Sequence, residues 1–172
     1  MRKFIIIVIS IVNIFCYSCQ KKQDNIESKK TWLHRANNTT KAHYFQEKYA
    51  GLEIDITYLD SLNTFIVFHG GGLSEPEPVT LEHWLDNVEK ANKLGLWLDF
   101  KNLSRKNRQS VLNELNRLCS KYNIKKNNVI VESWSAPDLT DFHNAGYHTS
   151  YYIHNFNPQE TSKYENQKHT YK

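Results

Sequence analysis

The sequence predicts an α/β fold in which parallel strands alternate with helices, and three observations support this prediction. Short apolar runs recur between about residues 32 and 153. Segments with apolar side chains at helical spacing separate most of these runs. Gly, Thr, Ser and Pro mark the boundaries between the two kinds of segment. Alternation of strand and helix implies parallel strands joined by right-handed crossovers, whether the sheet closes into a barrel or stays open.

Six strands are predicted from short runs rich in β-branched and aromatic residues. They lie at 32–33, 52–59, 64–68, 96–100, 129–131 and 148–153. The second run alternates apolar and polar residues, which is typical of a strand with one buried face.

Four helices are predicted between these strands from capping residues and apolar spacing. They are predicted to begin at Thr39, Thr80, Ser104 and Pro137, and the first, second and fourth to end at Gly51, Gly95 and Gly146. The third helix carries an apolar stripe that includes Cys119. We predict that this cysteine is a small buried hydrophobe.

Length and composition exclude several classes of protein. The chain has 172 residues, of which 40% are apolar and 13% are aromatic. This suffices for one domain with a core, but it is too short for two and too apolar for a disordered chain. The formal charge of +4 comes from scattered Lys and Arg residues. Composition therefore gives no argument for nucleic-acid binding.

The N-terminal segment is predicted to lie outside the folded domain. Arg2 and Lys3 precede a mostly apolar run at 4–15. A run of this length after a charged start is short for a membrane span and is typical of an export signal.

A lipid anchor is predicted directly after this run. Ser18, Cys19 and the polar residues that follow resemble the processing site of a bacterial lipoprotein. Residues 1–18 would then be the signal peptide and Cys19 the lipidated first residue, with a plain secretory signal or an uncleaved anchor as alternatives. Residues 19–30 are polar and are predicted to be a flexible tether. The expected location is the cell envelope, on the periplasmic face or at the outer membrane.

Polar side chains follow the predicted strands, and the carboxyl ends of parallel strands meet at one edge of a sheet. Glu53 and Asp55 are two residues apart, as are Asp99 and Lys101, so each pair shares one face of its strand. Burying these charges unpaired would be prohibitive. A cation bound by Glu53, Asp55 and Asp99 would relieve the repulsion, and oxygen ligands suit Mg²⁺ or Ca²⁺. Further polar residues at strand ends are His34, Arg35, Asn37, His69 and Glu132.

Several of these residues belong to short motifs in a fixed order. The motifs are His34-Arg35, Glu53-Ile54-Asp55, Val67-Phe68-His69-Gly70 and Leu98-Asp99-Phe100-Lys101. In order and spacing they resemble the glycerophosphodiester phosphodiesterase superfamily, a TIM-barrel group related to phosphatidylinositol-specific phospholipase C. The segments 34–37 and 81–85, together with the pair Glu53 and Asp55 and the segment 98–101, resemble its menorin branch more closely.

The resemblance implies a metal-dependent phosphoric diester hydrolase that acts on a glycerophosphodiester or a related diester. It implies that His34 and His69 are the general acid and base. It also implies that Glu53, Asp55 and Asp99 bind a divalent cation, Mg²⁺ or Ca²⁺. The superfamily has Glu where this chain has Asp99, so the metal would lie closer to that strand or bind it through water.

The resemblance also implies a phosphate site, formed by Arg35 and Lys101. Asn37 would either bind the phosphate or hold His34, and Glu132 is a candidate for an additional ligand. The superfamily has Gly after His-Arg, whereas this chain has Ala36.

The predicted domain is short for the barrel that this resemblance implies. A closed (β/α)₈ barrel has eight units, whereas residues 31–153 give about six and 154–172 form a polar tail. The sequence therefore predicts an incomplete barrel. A truncated product, which we favour, a partner that completes the barrel, or a stable open sheet would each explain it. Open strand edges would favour association.

Other interpretations of the same residues remain open. Glu53 and Asp55 also fit a strand whose polar face meets solvent, and His69 also fits a structural histidine before a glycine turn. The alternatives to a hydrolase are a non-catalytic, membrane-tethered ligand-binding module and a truncated inactive remnant.

Overall fold

The computed structural model describes residues 31–70 and 77–152. The predicted signal peptide at 1–18, the tether at 19–30 with Cys19, and the tail at 154–172 lie outside these residues. Within the described part of the chain, no helix has the length and apolar character needed to cross a membrane.

A mixed, mostly parallel sheet organises the described residues. Its strands are β1 (Trp32–Leu33), β2 (Gly51–Leu59), β3 (Thr64–Val67), β4 (Val79–Thr80), β5 (Gly95–Phe100), β6 (Val129–Ser133) and β7 (His148–Tyr151). The order across the sheet is β4-β3-β2-β5-β6-β7, and β1 also pairs with β2. Strands β1, β2, β5, β6 and β7 run parallel, as the alternation of strand and helix predicts.

The prediction of a parallel strand was wrong for β3. This strand pairs antiparallel with β2, and β4 pairs antiparallel with β3. Residues 60–63 alone join β2 to β3, which is too short for the crossover that parallel strands need. Asn63 adopts a φ of 47° in this turn, a conformation that asparagine tolerates well. The described residues therefore contain five parallel strands instead of the six predicted units.

In the described residues four α-helices cover the sheet, and two of the predicted N-caps shift. They are α1 (Thr39–Phe45), α2 (Leu81–Asp86), α3 (Arg108–Lys121) and α4 (Thr140–Asn144). Asn38, and not Thr39, caps α1 by accepting a hydrogen bond from the Lys41 N–H. Thr80 caps α2 as predicted. Helix α3 begins later than predicted because Ser104 and Asn107 form a separate turn ahead of it.

The sheet has one apolar face and one polar face. Leu52 and Ile54 on β2, with Leu98 on β5, point to one face and join the helices in a single core. Cys119 of α3 is also buried there, as predicted. Because side chains alternate along a strand, the residues between these apolar positions point to the other face. A register slip of one residue would bury the acidic side chains in the core, so the apolar residues fix the polar face.

Candidate functional site

Three carboxylates meet on the polar face of β2 and β5. Asp55 lies directly opposite Asp99 across these neighbouring strands, and Glu53 precedes Asp55 by two residues. One carboxylate oxygen from each residue lies within 4.8 Å of the other two. Glu53 and Asp55 are only 7% and 2% exposed. The structure thus brings together the three side chains that the sequence singled out as metal ligands.

Lys101 places a positive charge between two of these carboxylates. Its Nζ lies 2.6 Å from Oδ1 of Asp55 and 2.5 Å from Oδ2 of Asp99. Partial burial works to lower the pKa of Lys101, but the two carboxylates outweigh it and the pKa is raised. The ammonium therefore stays protonated at neutral pH and acts as a counter-ion of the cluster.

Neighbouring groups balance the negative charges of Glu53 and Asp55 to different extents. Burial raises the pKa of Glu53, and the charges of Asp55 and Asp99 add to this effect against the hydrogen bond from the Arg35 N–H. Burial acts in the same direction on Asp55, but hydrogen bonds from Lys101 and Asn37 outweigh it and lower that pKa. The charge of Glu53 is therefore less well balanced than that of Asp55.

The segment after β1 reaches the cluster through its backbone. The N–H of Arg35 donates to Oε2 of Glu53 at 2.6 Å, and the N–H of Ala36 donates to the Glu53 carbonyl at 2.8 Å. Arg35 adopts a left-handed φ of 52° to make this turn, which is uncommon for a residue other than Gly. Ala36 does not have a positive φ, so the backbone does not require glycine at this position. Its methyl group is buried. The Trp84 indole N–H secures the segment by donating to the Ala36 carbonyl.

Asn37 contacts Asp55 and not His34. Its Nδ2 donates to Oδ2 of Asp55 at 2.7 Å, and its Oδ1 accepts the Asp55 backbone N–H at 2.9 Å. The side chain is buried, and both ends of its amide are used in this contact. A buried amide bonded in this way orients the carboxylate, and the phosphate-binding or His34-holding role expected for Asn37 stays a prediction.

Of the two predicted catalytic histidines, His34 precedes Arg35 in the chain and His69 contacts the Arg35 guanidinium. His34 is 77% exposed on its side chain, and its Nε2 lies 3.7 Å from Oε2 of Glu53. Nη2 of Arg35 lies 2.7 Å from Nε2 of His69. A guanidinium donates hydrogen bonds and does not accept them, so this contact requires a neutral His69 with its proton on Nδ1.

The antiparallel strand β3, which the sequence did not predict as such, brings His69 to the cluster. The Phe68 N–H, next to His69 in the chain, donates to the Asp55 carbonyl at 3.0 Å. The hairpin therefore fixes the backbone of this histidine beside a residue of the acidic cluster.

Glu132 of β6 pairs with Asp99 of β5, but its carboxylate bonds to residues outside the acidic cluster. Its Oε2 accepts the indole N–H of Trp97 at 3.0 Å, and its Oε1 accepts the Ser150 hydroxyl at 2.9 Å. The converging group of ligand atoms does not include it. Its contacts instead fix the position of Trp97.

A cavity of about 440 Å³ opens beside the carboxylates. It is lined by Trp32, His34, Glu53, Trp97, Asp99, Glu132 and Tyr152. Sequence reasoning missed the two tryptophans. A signal for Trp97 was present, because it precedes Asp99 by two residues and so shares its face.

Comparison with known proteins identifies the fold. No protein-family profile matches this chain, and no curated protein is similar to it in sequence. A glycerophosphodiester phosphodiesterase from Parabacteroides distasonis has a similar structure, with a TM-score of 0.56 and 16% identity over 75% of this chain. A phosphodiesterase from Oleispira antarctica, solved with the product sn-glycerol-3-phosphate, gives a TM-score of 0.54 and 11% identity over 78% of this chain.

The extent of these matches limits what they establish. The chain spans 63% of the length of the Parabacteroides protein and 70% of the Oleispira protein. At such low identity the likeness concerns the fold, so function must be argued from the site. Over the matched residues, this chain has the fold seen in solved glycerophosphodiester phosphodiesterases.

Proposed function

We propose that this chain is a metal-dependent phosphoric diester hydrolase of the glycerophosphodiester phosphodiesterase type, within or near the menorin branch. The observation that carries the proposal is the convergence of Glu53, Asp55 and Asp99 within 4.8 Å. The cluster occupies the polar face of a sheet whose fold is shared with solved phosphodiesterases of this type. We also propose that the five parallel strands are part of a TIM-barrel-like arrangement.

The donor set fits a divalent cation. Three carboxylates supply hard oxygen ligands of the kind that Mg²⁺ and Ca²⁺ prefer. Burial raises the pKa of Glu53, the charges of Asp55 and Asp99 add to this effect, and a bound cation would favour its charged form. Glu53, Asp55 and Asp99 would hold the ion. When bound, it would stabilise the negative charge that develops on the phosphoryl oxygens.

Arg35 and Lys101 are suited to binding the phosphate. A phosphodiester carries one negative charge, and its transition state places more charge on the non-bridging oxygens. Lys101 keeps 26% of its side chain exposed beside the carboxylates, and the Arg35 guanidinium is exposed next to His69. Each cation can therefore reach a phosphate bound at the edge of the acidic cluster.

His34 and His69 would transfer protons. His34 lines the cavity and lies close to Glu53, so we assign His34 as the acid that protonates the departing alkoxide. Nε2 of His69 accepts a hydrogen bond from Arg35. Movement of Arg35 onto the phosphate would make that nitrogen available to accept a proton from the attacking group.

Hydrolysis of bis-p-nitrophenyl phosphate and glycerophosphocholine by the purified, folded protein tests this function. We expect turnover that requires Mg²⁺ or Ca²⁺, stops on chelation and falls about 10²- to 10⁴-fold in His34→Ala. His43→Ala is the matched control, since His43 is an exposed histidine on α1 and should leave turnover unchanged. A folded protein that neither binds a divalent cation nor hydrolyses these diesters overturns the proposal.

The contacts of Lys101 favour a second candidate, a non-catalytic ligand-binding module. The ammonium already balances two of the three acidic ligands, so the cluster has a cation of its own. Binding of glycerophosphocholine without turnover, whether or not a divalent cation is present, would support this candidate.

The location of the protein is a separate proposal. We propose that Cys19 carries a lipid that anchors the domain to the cell envelope. Labelling of the protein by a radioactive fatty acid in cells, lost in Cys19→Ser, is the expected result. Undiminished labelling in that variant would contradict it.

A further inference from the structure

Trp32 lies flat against the backbone of two neighbouring strands. It pairs with Gly51 of β2, which pairs in turn with Gly95 of β5. A Cβ atom on Gly95 would lie 2.2 Å from Cη2 of Trp32, and one on Gly51 would lie 2.5 Å from Cε3. Neither glycine has a positive φ, so what demands glycine at these positions is the close approach of the indole.

The indole lines two cavities on the polar face of the sheet. One is the cavity of about 440 Å³ beside the carboxylates, and the other measures about 390 Å³ and lies at the amino ends of the strands. Among the described residues, Trp32 is the one that lines both. Trp97 meets it edge-on, with ring centroids 6.1 Å apart, and Glu132 holds Trp97 in place. The two tryptophans therefore form a wall of fixed position.

We infer that Trp32 is the floor of the substrate cavity and determines how long a substituent on the phosphate can be. This inference rests on the proposed function, which places the phosphate beside Glu53, Asp55 and Asp99. A short substituent ends above the indole. A long alkyl chain would have to displace the ring to enter the lower cavity, whose lining is mixed. Leu94 and Ile130 supply apolar contacts there, beside Lys93, Asn128 and His148.

Binding of straight-chain alkyl phosphates, from ethyl to dodecyl phosphate, tests this inference by calorimetry in the presence of Ca²⁺. Each methylene that enters an apolar cavity tightens binding by up to about fourfold. In the natural protein we expect the affinity to stop rising once the chain reaches the indole. In Trp32→Ala it should continue to rise over several further methylenes. The same dependence on chain length in both proteins, or no binding at any length, overturns the inference.

A second set of variants tests the geometry without any ligand. Gly95→Ala places its methyl group against Trp32 alone among the nearest atoms, whereas Gly51→Ala also meets the Gly95 carbonyl. We expect Gly95→Ala to lower the unfolding midpoint of the natural protein but to be tolerated in the Trp32→Ala background. Equal destabilisation in the two backgrounds would show that the indole does not occupy this position.

Trp134→Phe is the matched control, because this tryptophan is 39% exposed and does not line the cavity, and the retained ring can still pack on Tyr152, which does line it. It should keep the natural dependence on chain length.

The inference and the proposed function fail separately. If the protein hydrolyses diesters but its affinity for alkyl phosphates depends on chain length in the same way with and without Trp32, only the inference is overturned. Length selection by Trp32 without any hydrolysis supports the inference and overturns the proposed function.

Discussion

Asn37 and Asp55 hold each other through two hydrogen bonds, although they lie on different elements of the fold. One joins Nδ2 of Asn37 to Oδ2 of Asp55, and the other joins the Asp55 N–H to Oδ1 of Asn37. Both side chains are buried. The amide therefore fixes the rotation of a carboxylate that also contacts Lys101, and Asn37 is a positioning residue of the acidic cluster.

Asn37→Ala should weaken the binding of Ca²⁺ or Mg²⁺. Loss of a group that orients a metal ligand typically costs about 10- to 100-fold in affinity, and calorimetry measures this directly. Asn38→Ala is the control, because it removes the N-cap of α1 and should cost about 1 kcal/mol of stability with an unchanged metal affinity. Equal metal affinity in the natural protein and Asn37→Ala would contradict the positioning role.

Lys101→Met should tighten metal binding, because the ammonium competes for Asp55 and Asp99. Without metal, the same variant should unfold more easily, since it leaves two neighbouring carboxylates without their cation. Added Ca²⁺ should reverse much of this loss. Urea denaturation with and without Ca²⁺ measures the effect.

Lys90→Met is the matched lysine variant for this measurement, because Lys90 forms a more exposed ion pair with Glu47. Such pairs contribute roughly 0 to 1 kcal/mol, and Ca²⁺ should not alter the outcome. If Lys101→Met binds metal no better than the natural protein, Lys101 does not compete with the ion.

The ion pairs between α2 and α3 should make stability depend on acid pH. Arg117 and Lys121 hold Glu82 with N–O distances of 3.1 Å and 2.8 Å, and their hydrogen bonds lower its pKa to about 2. A lowered carboxyl pKa contributes stability above the unfolded value of 4.5, and this contribution disappears as pH falls toward 2. Because the group is partly exposed, we expect a contribution of about 1 kcal/mol.

Chemical denaturation between pH 6 and pH 2 checks this dependence. As the pH falls from 6 to 2, Glu82→Gln should lose less stability than the natural protein does. Glu89→Gln changes an exposed residue and should lose as much stability as the natural protein. A Glu82→Gln profile that is parallel to that of the natural protein would show that the pairs contribute nothing measurable.

Cys119 should resist alkylation in the folded protein. It is buried on α3 beside the Tyr147 hydroxyl, and burial raises the pKa of its thiol, so little of the reactive thiolate forms at neutral pH. Iodoacetamide should modify it only after unfolding in urea. Peptide mapping distinguishes it from Cys16 and Cys19, and rapid modification without denaturant would contradict the buried position.

Much of the candidate site follows from local rules. Residues two apart on a strand share a face, and this rule alone places Glu53 with Asp55 and Asp99 with Lys101. The sheet is also predictable, because most of its strands are joined by helices and so run parallel. The prediction was wrong at β3, where four turn residues produce a hairpin. The role of Asn37 was missed because its partner lies 18 residues away in the chain.

The sequence by itself determined which residues face the same side of each strand and where most of the strands and helices form. Tertiary structure alone decided that Asp55 lies opposite Asp99, that Asn37 orients Asp55 and that Trp32 lies over Gly51 and Gly95. The physical reason is that periodicity is a property of neighbouring residues. Strand order, register and close approach depend instead on how distant segments pack around the shared core, which no local pattern encodes.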